Sequence, residues 1–375
     1  MREASLALSF DFVNLASGVI IAMLTAILRM KPWILGFYPM LLGVRGALKG
    51  ILCGKLSTGL HTGLIKPCIK GNTRDYHVII ASVLILSLLF STLMLLFAIV
   101  YFHRISLFEA FSIIFFSCLT STFIGVLISS TLAFQAFKHN IDPDIILYPA
   151  SSSIGDVLVS STLALSIILL IRRGAMAMSI IILTYLTFIL ILFFKFYRFP
   201  AFKKTICEGF SSVVLALIFE YAAGIILAVV EENVGWSKGM LFIYPAFICA
   251  LGDVCSMIGS KTTTYLHLYG EPSLKFGRLV RDIFHVIANV LLMNIVFTLL
   301  LAFGAYMMDG NMINYLVVSL ANVISIMILV PLTLNIATIT FRRGLDPDNY
   351  VNPLLSSLAD LVGTIFLGFL FTFLS

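Results

Sequence analysis

FKHNIDPDIILYPASSSIGD, residues 137–156, returns as FRRGLDPDNYVNPLLSSLAD, residues 341–360. At a constant offset of 204, Asp142, Pro143, Asp144, Pro149, Ser152, Ser153 and Asp156 meet Asp346, Pro347, Asp348, Pro353, Ser356, Ser357 and Asp360. A second pair lies upstream. YPMLLGVRGALKGILCGKLSTGLH, from Tyr38, matches YPAFICALGDVCSMIGSKTTTYLH, from Tyr244. At an offset of 206 it aligns Tyr38, Pro39, Gly46, Lys55, Thr58, Leu60 and His61 with Tyr244, Pro245, Gly252, Lys261, Thr264, Leu266 and His267. The matching residues are mostly polar, Gly or Pro, so apolar composition does not generate them. Order and spacing are kept as well, and the chain reads as an internal duplication.

The surroundings of these motifs are those of a membrane protein. Of 375 residues, 60% are apolar and 11% charged, and the mean hydropathy is +1.08. A soluble chain of this length carries about a quarter charged residues; lipid must cover this one. Spanning-length apolar runs fall at 6–28, 34–56, 78–102, 109–137, 145–171, 176–194, 209–231, 240–266, 280–308, 312–340 and 350–373. The predicted fold is therefore all-α and polytopic, with about eleven transmembrane helices. The runs at 34–56 and 240–266 are the least apolar and read as broken or partly buried helices. The first run carries Asp11 and Asn14 and ends without a small-residue cleavage site. It reads as a first span and not as a cleaved leader.

An odd number of spans per repeat would invert the second copy. The run at 176–194 carries the chain back across, so the two copies are expected to be parallel, related by a pseudo-two-fold axis along the membrane normal. The expected division is a first five-helix repeat over 1–172, a linking helix and loop over 173–205, and a second repeat over 206–375. One chain then imitates a symmetric dimer and works as a single-chain pseudo-dimer. With the N-terminus inside, sixteen Lys and Arg fall on inner segments and six on outer ones. That asymmetry predicts a multi-pass cell-membrane protein with a cytoplasmic N-terminus and an outer C-terminus. It also accounts for the net charge of +6. No basic cluster lies on a soluble surface, which argues against nucleic acid as a partner. Cys53, Cys68, Cys118, Cys207, Cys249 and Cys255 form no CxxC pair and read as small membrane-embedded hydrophobes.

Asp156 and Asp360 are the leading functional candidates. Each follows its DPD motif by about a dozen residues, placing it about 15–18 Å along a helix, near the middle of a hydrocarbon core about 30 Å thick. A carboxylate there should face a partner or a wet cavity. Ser152 and Ser153 share its stripe in one copy, Ser356 and Ser357 in the other. Carboxylates and hydroxyls suit hard divalent cations, and Mg²⁺ tends to keep its waters. Asp156, Asp360, Ser152 and Ser356 are thus expected to line a central pathway between the repeats. The competing reading of the aspartates is an interhelical ion pair, to Arg45 or Lys49. Asp253, an intramembrane acid, joins the candidate ion-binding set. The DPD motifs read as helix starts, with Asp at the cap and Pro at the first position, and as a cation-attracting inner mouth. Asn14 and Glu220 correspond at offset 206, and with Asp11 they are further polar residues in first-of-repeat spans. Glu231 and Glu232 are expected at the outer surface. His61 and His267 match each other but bring no third ligand. No Ser/His/Asp or metal-ligand constellation suggests an enzyme, and no cofactor is expected beyond the transported ion.

The motif YPMLLGVRG followed by LST, and DPD-x(4)-P-x(2)-[ST]-S-x(2)-D, resemble the membrane domain of MgtE-type magnesium transporters. The two-copy layout with a linking span is most similar to the solute-carrier branch of that family. The resemblance covers nearly the whole chain, and it implies a divalent cation transporter in which Asp156 and Asp360 bind Mg²⁺. It also implies a chain without the cytoplasmic N-terminal and CBS domains of MgtE. The chain departs from the family pattern in its second span. The usual Gly-Asn is Gly46-Ala47 in the first copy and Gly252-Asp253 in the second, and Lys49 stands where an acid often follows. Those departures bear on ion selectivity. A membrane scaffold or sensor that keeps the fold without transporting is the alternative function.

Overall fold

In lipid the backbone must satisfy its own hydrogen bonds, and long apolar runs therefore become helices. The computed structural model describes residues 2–61, 63–101, 106–139, 143–172, 174–269, 276–343 and 347–374. Among these residues every regular element is helical. In chain order they are α1 (Arg2–Met23), α2 (Thr25–Met30), α3 (Pro32–His61), α4 (Arg74–Tyr101), α5 (Leu107–Lys138) and α6 (Pro143–Ile171). They continue with α7 (Ala175–Phe196), α8 (Pro200–Asn233), α9 (Lys238–Tyr269), α10 (Phe276–Asp309), α11 (Met312–Arg342) and α12 (Pro347–Leu374).

Ten of the helices are long and apolar enough to cross a membrane. α1 contributes the shorter apolar stretch Val13–Met23. The expected first span, 6–28, is interrupted at Leu24, where the Thr25 hydroxyl bonds back to the Ala22 carbonyl. α3 and α9 are continuous helices in spite of Pro39 and Pro245, not broken ones. Their spanning windows are 72% and 67% buried, as expected of their low apolarity. α6 and α12 begin at Pro143 and Pro347, as the DPD motifs predict.

The helices pack as two compact units, one of residues 1–39 and 215–375 and the other of residues 40–214. In the first, α9 is packed against α1, α10, α11 and α12. Asn322 donates to Asn294 (2.9 Å), a polar bridge between α10 and α11 of the kind that binds helices in lipid. Two helix crossings in this unit repeat each other. A Cβ on Gly18 of α1 would overlap the Phe242 carbonyl of α9, and one on Gly224 of α8 would overlap the Gly36 carbonyl of α3. Gly18 and Gly224 are equivalent at offset 206, as are Gly36 and Phe242. The first helix of each repeat therefore crosses the second helix of the other repeat.

In the second unit, α5 packs against α4, α6 and α7. Ser117 bonds Ser166 (3.3 Å) and Ser129 bonds Ser151 (3.3 Å), both between α5 and α6. The linking helix α7 is held by Tyr185 stacked on Phe123 (4.4 Å). Only 17% of its spanning window is buried, leaving most of its apolar surface for lipid.

Candidate cation site

α6 and α12 present Asp156 and Asp360 in matched surroundings. The two residues are 7% and 8% exposed, and Ser153 and Ser357 are also buried. Ser152 and Ser356, on the same stripes, are half-buried. One turn further on, a hydroxyl bonds back to the aspartate's own carbonyl in each helix: Ser160 to Asp156 (2.9 Å) and Thr364 to Asp360 (2.6 Å).

Around Asp156 the charge is positive. Arg45, on α3, pairs its Nη2 with Asp156 Oδ1. The same nitrogen donates to the Ser152 carbonyl (3.0 Å), and Nη1 reaches the Ser151 carbonyl (3.4 Å). The guanidinium thus caps one side of α6 from Ser151 to Asp156. Gly155 makes this possible, because a Cβ there would fall on Arg45 Nη1. Arg45 and Lys49 also line a small open cavity of about 30 Å³, with Ser121, Thr122, Ser129 and Ser151 among its walls. Cys53 lies within electrostatic reach of both cations and hydrogen-bonds Ser151.

The neighbours of Asp360 are different. Its equivalents of Arg45, Lys49 and Gly155 are Leu251, Cys255 and Ala359. Asp360 and Asp253 both act electrostatically on Cys255, and Asp360 and Glu220 both act on Tyr244. Asp360 is thus within electrostatic reach of two residues of α9, sharing one with Asp253 and the other with Glu220. The Tyr244 hydroxyl bonds Thr364 (2.9 Å), tying α9 to α12 one turn from Asp360. Gly252 brings α9 close to Ser356, whose Oγ lies 3.7 Å from an added Cβ. Tyr38 and Tyr244, equivalent in the two repeats and both buried, have ring centroids 6.3 Å apart.

Other expectations fare differently. Asn14 and Glu220 are fully buried. Glu231, expected at the outer surface, is buried instead. Its carboxylate accepts the Trp236 N–H (2.8 Å) and lies 3.8 Å from Arg29, so it fastens the α8–α9 turn. Glu232 is exposed. The Asp142 and Asp346 positions, and the side chains of Asp11, Asp144, Asp348, Pro149, Pro353, His61 and His267, lie outside the described residues. Gly155 and Tyr244 carry the site but were not singled out for it. Aligning the repeats offers the signal: Arg45 with Gly155 in one copy becomes Leu251 with Ala359 in the other. None of the six cysteines forms a disulfide, and among the described residues no three His, Cys, Asp or Glu converge on a metal position.

The profile of the MgtE family, described as divalent cation transporters, matches residues 38–166 and 244–370. The chain belongs to the MgtE family. The two matched windows begin at Tyr38 and Tyr244, the same residues that open the internal repeat, so one MgtE unit corresponds to one repeat. Among curated proteins, solute carrier family 41 member 3 of rat is 24% identical over 90% of this chain and 79% of its own length. The mouse protein of the same name is 24% identical over 99% of this chain and 83% of its own. No solved structure matches. Family and helices together make this a multi-pass membrane protein of a divalent cation transporter family.

Proposed function

We propose that the chain transports Mg²⁺, moving the ion largely hydrated past Asp156 and Asp360, with Ser152, Ser356 and Asp253 as further oxygen ligands. The observation that carries this reading is the burial of Asp156 and Asp360 at equivalent positions of two spanning helices, with Asp360 in electrostatic reach of Tyr244 and Cys255 on α9. Carboxylates inside a membrane are costly, and they commonly mark ion pathways. Hard oxygen ligands suit Mg²⁺, which binds through a few carboxylates and retains waters. The adjacency of Tyr38 and Tyr244 supports the same reading, because residues exchanged by a two-fold axis approach each other only close to it. Tyr244 leads through Thr364 to the turn that carries Asp360.

The N-terminus is taken as cytoplasmic and the C-terminus as external, on the Lys and Arg asymmetry. The test is Mg²⁺ uptake into proteoliposomes by the wild type and by the D156A/D360A double variant. Loss of uptake is expected; undiminished uptake by the double variant sinks the assignment. A second reading, a scaffold or sensor that does not transport, is favoured by the Arg45 guanidinium on Asp156. It predicts no ion flux from well-folded wild-type protein in the same vesicles.

A further inference from the structure

The two repeats differ most where they should be most alike. Asp156 and Asp360 match in helix and burial, yet the arginine and glycine that meet at Asp156 are replaced in the second repeat by Leu251 and Ala359. The difference is built from two coordinated positions. Arg45 fits only because Gly155 leaves room for Nη1. In the second repeat both positions change together, to a branched apolar side chain and a Cβ. Arg45 is also held as a bound ion would be, by carboxylate and carbonyl oxygens of a single helix. Its planar fork matches such oxygens. Its Nε finds no hydrogen-bond partner, and the residue lines the cavity that Lys49 shares.

We propose that Arg45 is a tethered counter-cation that occupies the ion position on Asp156 and so sets how strongly the first repeat attracts a divalent ion. The proposal rests on the reading of Asp156 and Asp360 as pathway carboxylates. An incoming ion meets one carboxylate already neutralised and must share it with Arg45 or displace it. Gly155 acts as a positioning residue for Arg45.

The test uses the full chain in proteoliposomes and reads the half-saturating Mg²⁺ concentration for uptake. R45L/G155A gives the first repeat the residues the second has at these positions. It is expected to lower half-saturation by about tenfold or more, as one opposing charge near a carboxylate would. R45L/G155A/D156N should lose that gain. R45K, which keeps the charge but not the planar fork, should leave half-saturation closer to the wild type than R45L/G155A does. R45A leaves a guanidinium-sized gap. Added guanidinium ion should inhibit Mg²⁺ uptake by R45A at concentrations that leave the wild type untouched. Unchanged half-saturation in R45L/G155A, or equal guanidinium sensitivity of R45A and wild type, overturns the proposal. D360A separates the two readings. If D360A transports normally while R45A is guanidinium-sensitive, the pathway assignment of Asp360 fails and the tether stands. If D360A is inactive and R45A is insensitive, the tether alone fails.

Discussion

A carboxylate in lipid is defined by what neutralises it. Asp156 and Arg45 are both about nine-tenths buried and neutralise each other. Removing one partner leaves the other charge uncompensated at low dielectric, at a cost of about 3–5 kcal/mol, whereas replacing both by apolar groups is nearly neutral. Asp156→Leu should therefore lower thermal stability in detergent sharply, while R45L/D156L should recover most of it. Equal melting of the two variants would show that the pair carries no such coupling. This pairing was only half legible in the sequence. Depth and spacing single out Asp156 and Asp360, and Arg45 stands among the possible partners of the first. Arg45 lies where a Cβ on Gly155 would fall, a contact between α3 and α6 that spacing along either helix does not encode. The reach of Asp360, on α12, to Tyr244 and Cys255 of α9 is of the same kind.

At the scale of the elements, apolar length fixes the helices and small residues fix how they cross. Most span limits read from the sequence agree with the helices to a few residues, because lipid leaves a long apolar run no other structure. α8 is the exception, starting at Pro200, well before the apolar run at 209. The Gly18 and Gly224 crossings were not legible, as each depends on a carbonyl in a helix far along the chain. Both added Cβ atoms would meet backbone oxygen, which cannot swing aside as a side chain can. Gly18→Ala and Gly224→Ala should each destabilise by about 1–3 kcal/mol through overpacking. Gly125, inside α5, has nothing within 4 Å of an added Cβ. Gly125→Ala should instead be neutral or stabilising by up to about 1 kcal/mol through helix propensity. Thermal unfolding of the three variants in one detergent checks the contrast, and similar losses at all three positions would remove the crossing argument.

For the whole molecule, the sequence repeat and the packed unit divide the chain differently. The repeat is a unit of descent in the sequence, with Tyr38 and Tyr244 opening equivalent windows. The packed unit of residues 1–39 and 215–375 joins the first helix of one repeat to most of the other. α1 covers a face of α9, and Gly18 lets the backbones approach there. A segment comprising residues 206–375 alone would leave that face without α1, including the oxygen of Phe242 that Gly18 approaches. Lipid covers apolar surface but does not reproduce a close backbone crossing, which in membranes rests on van der Waals packing of small residues. Expressed by itself, 206–375 should aggregate on size-exclusion chromatography or be degraded. Co-expression with 1–205 should restore a monodisperse complex, and Gly18→Leu in the 1–205 segment should abolish the rescue. Monodisperse 206–375 without its partner would show that the second repeat closes its own core and that the exchanged first helix is dispensable to it.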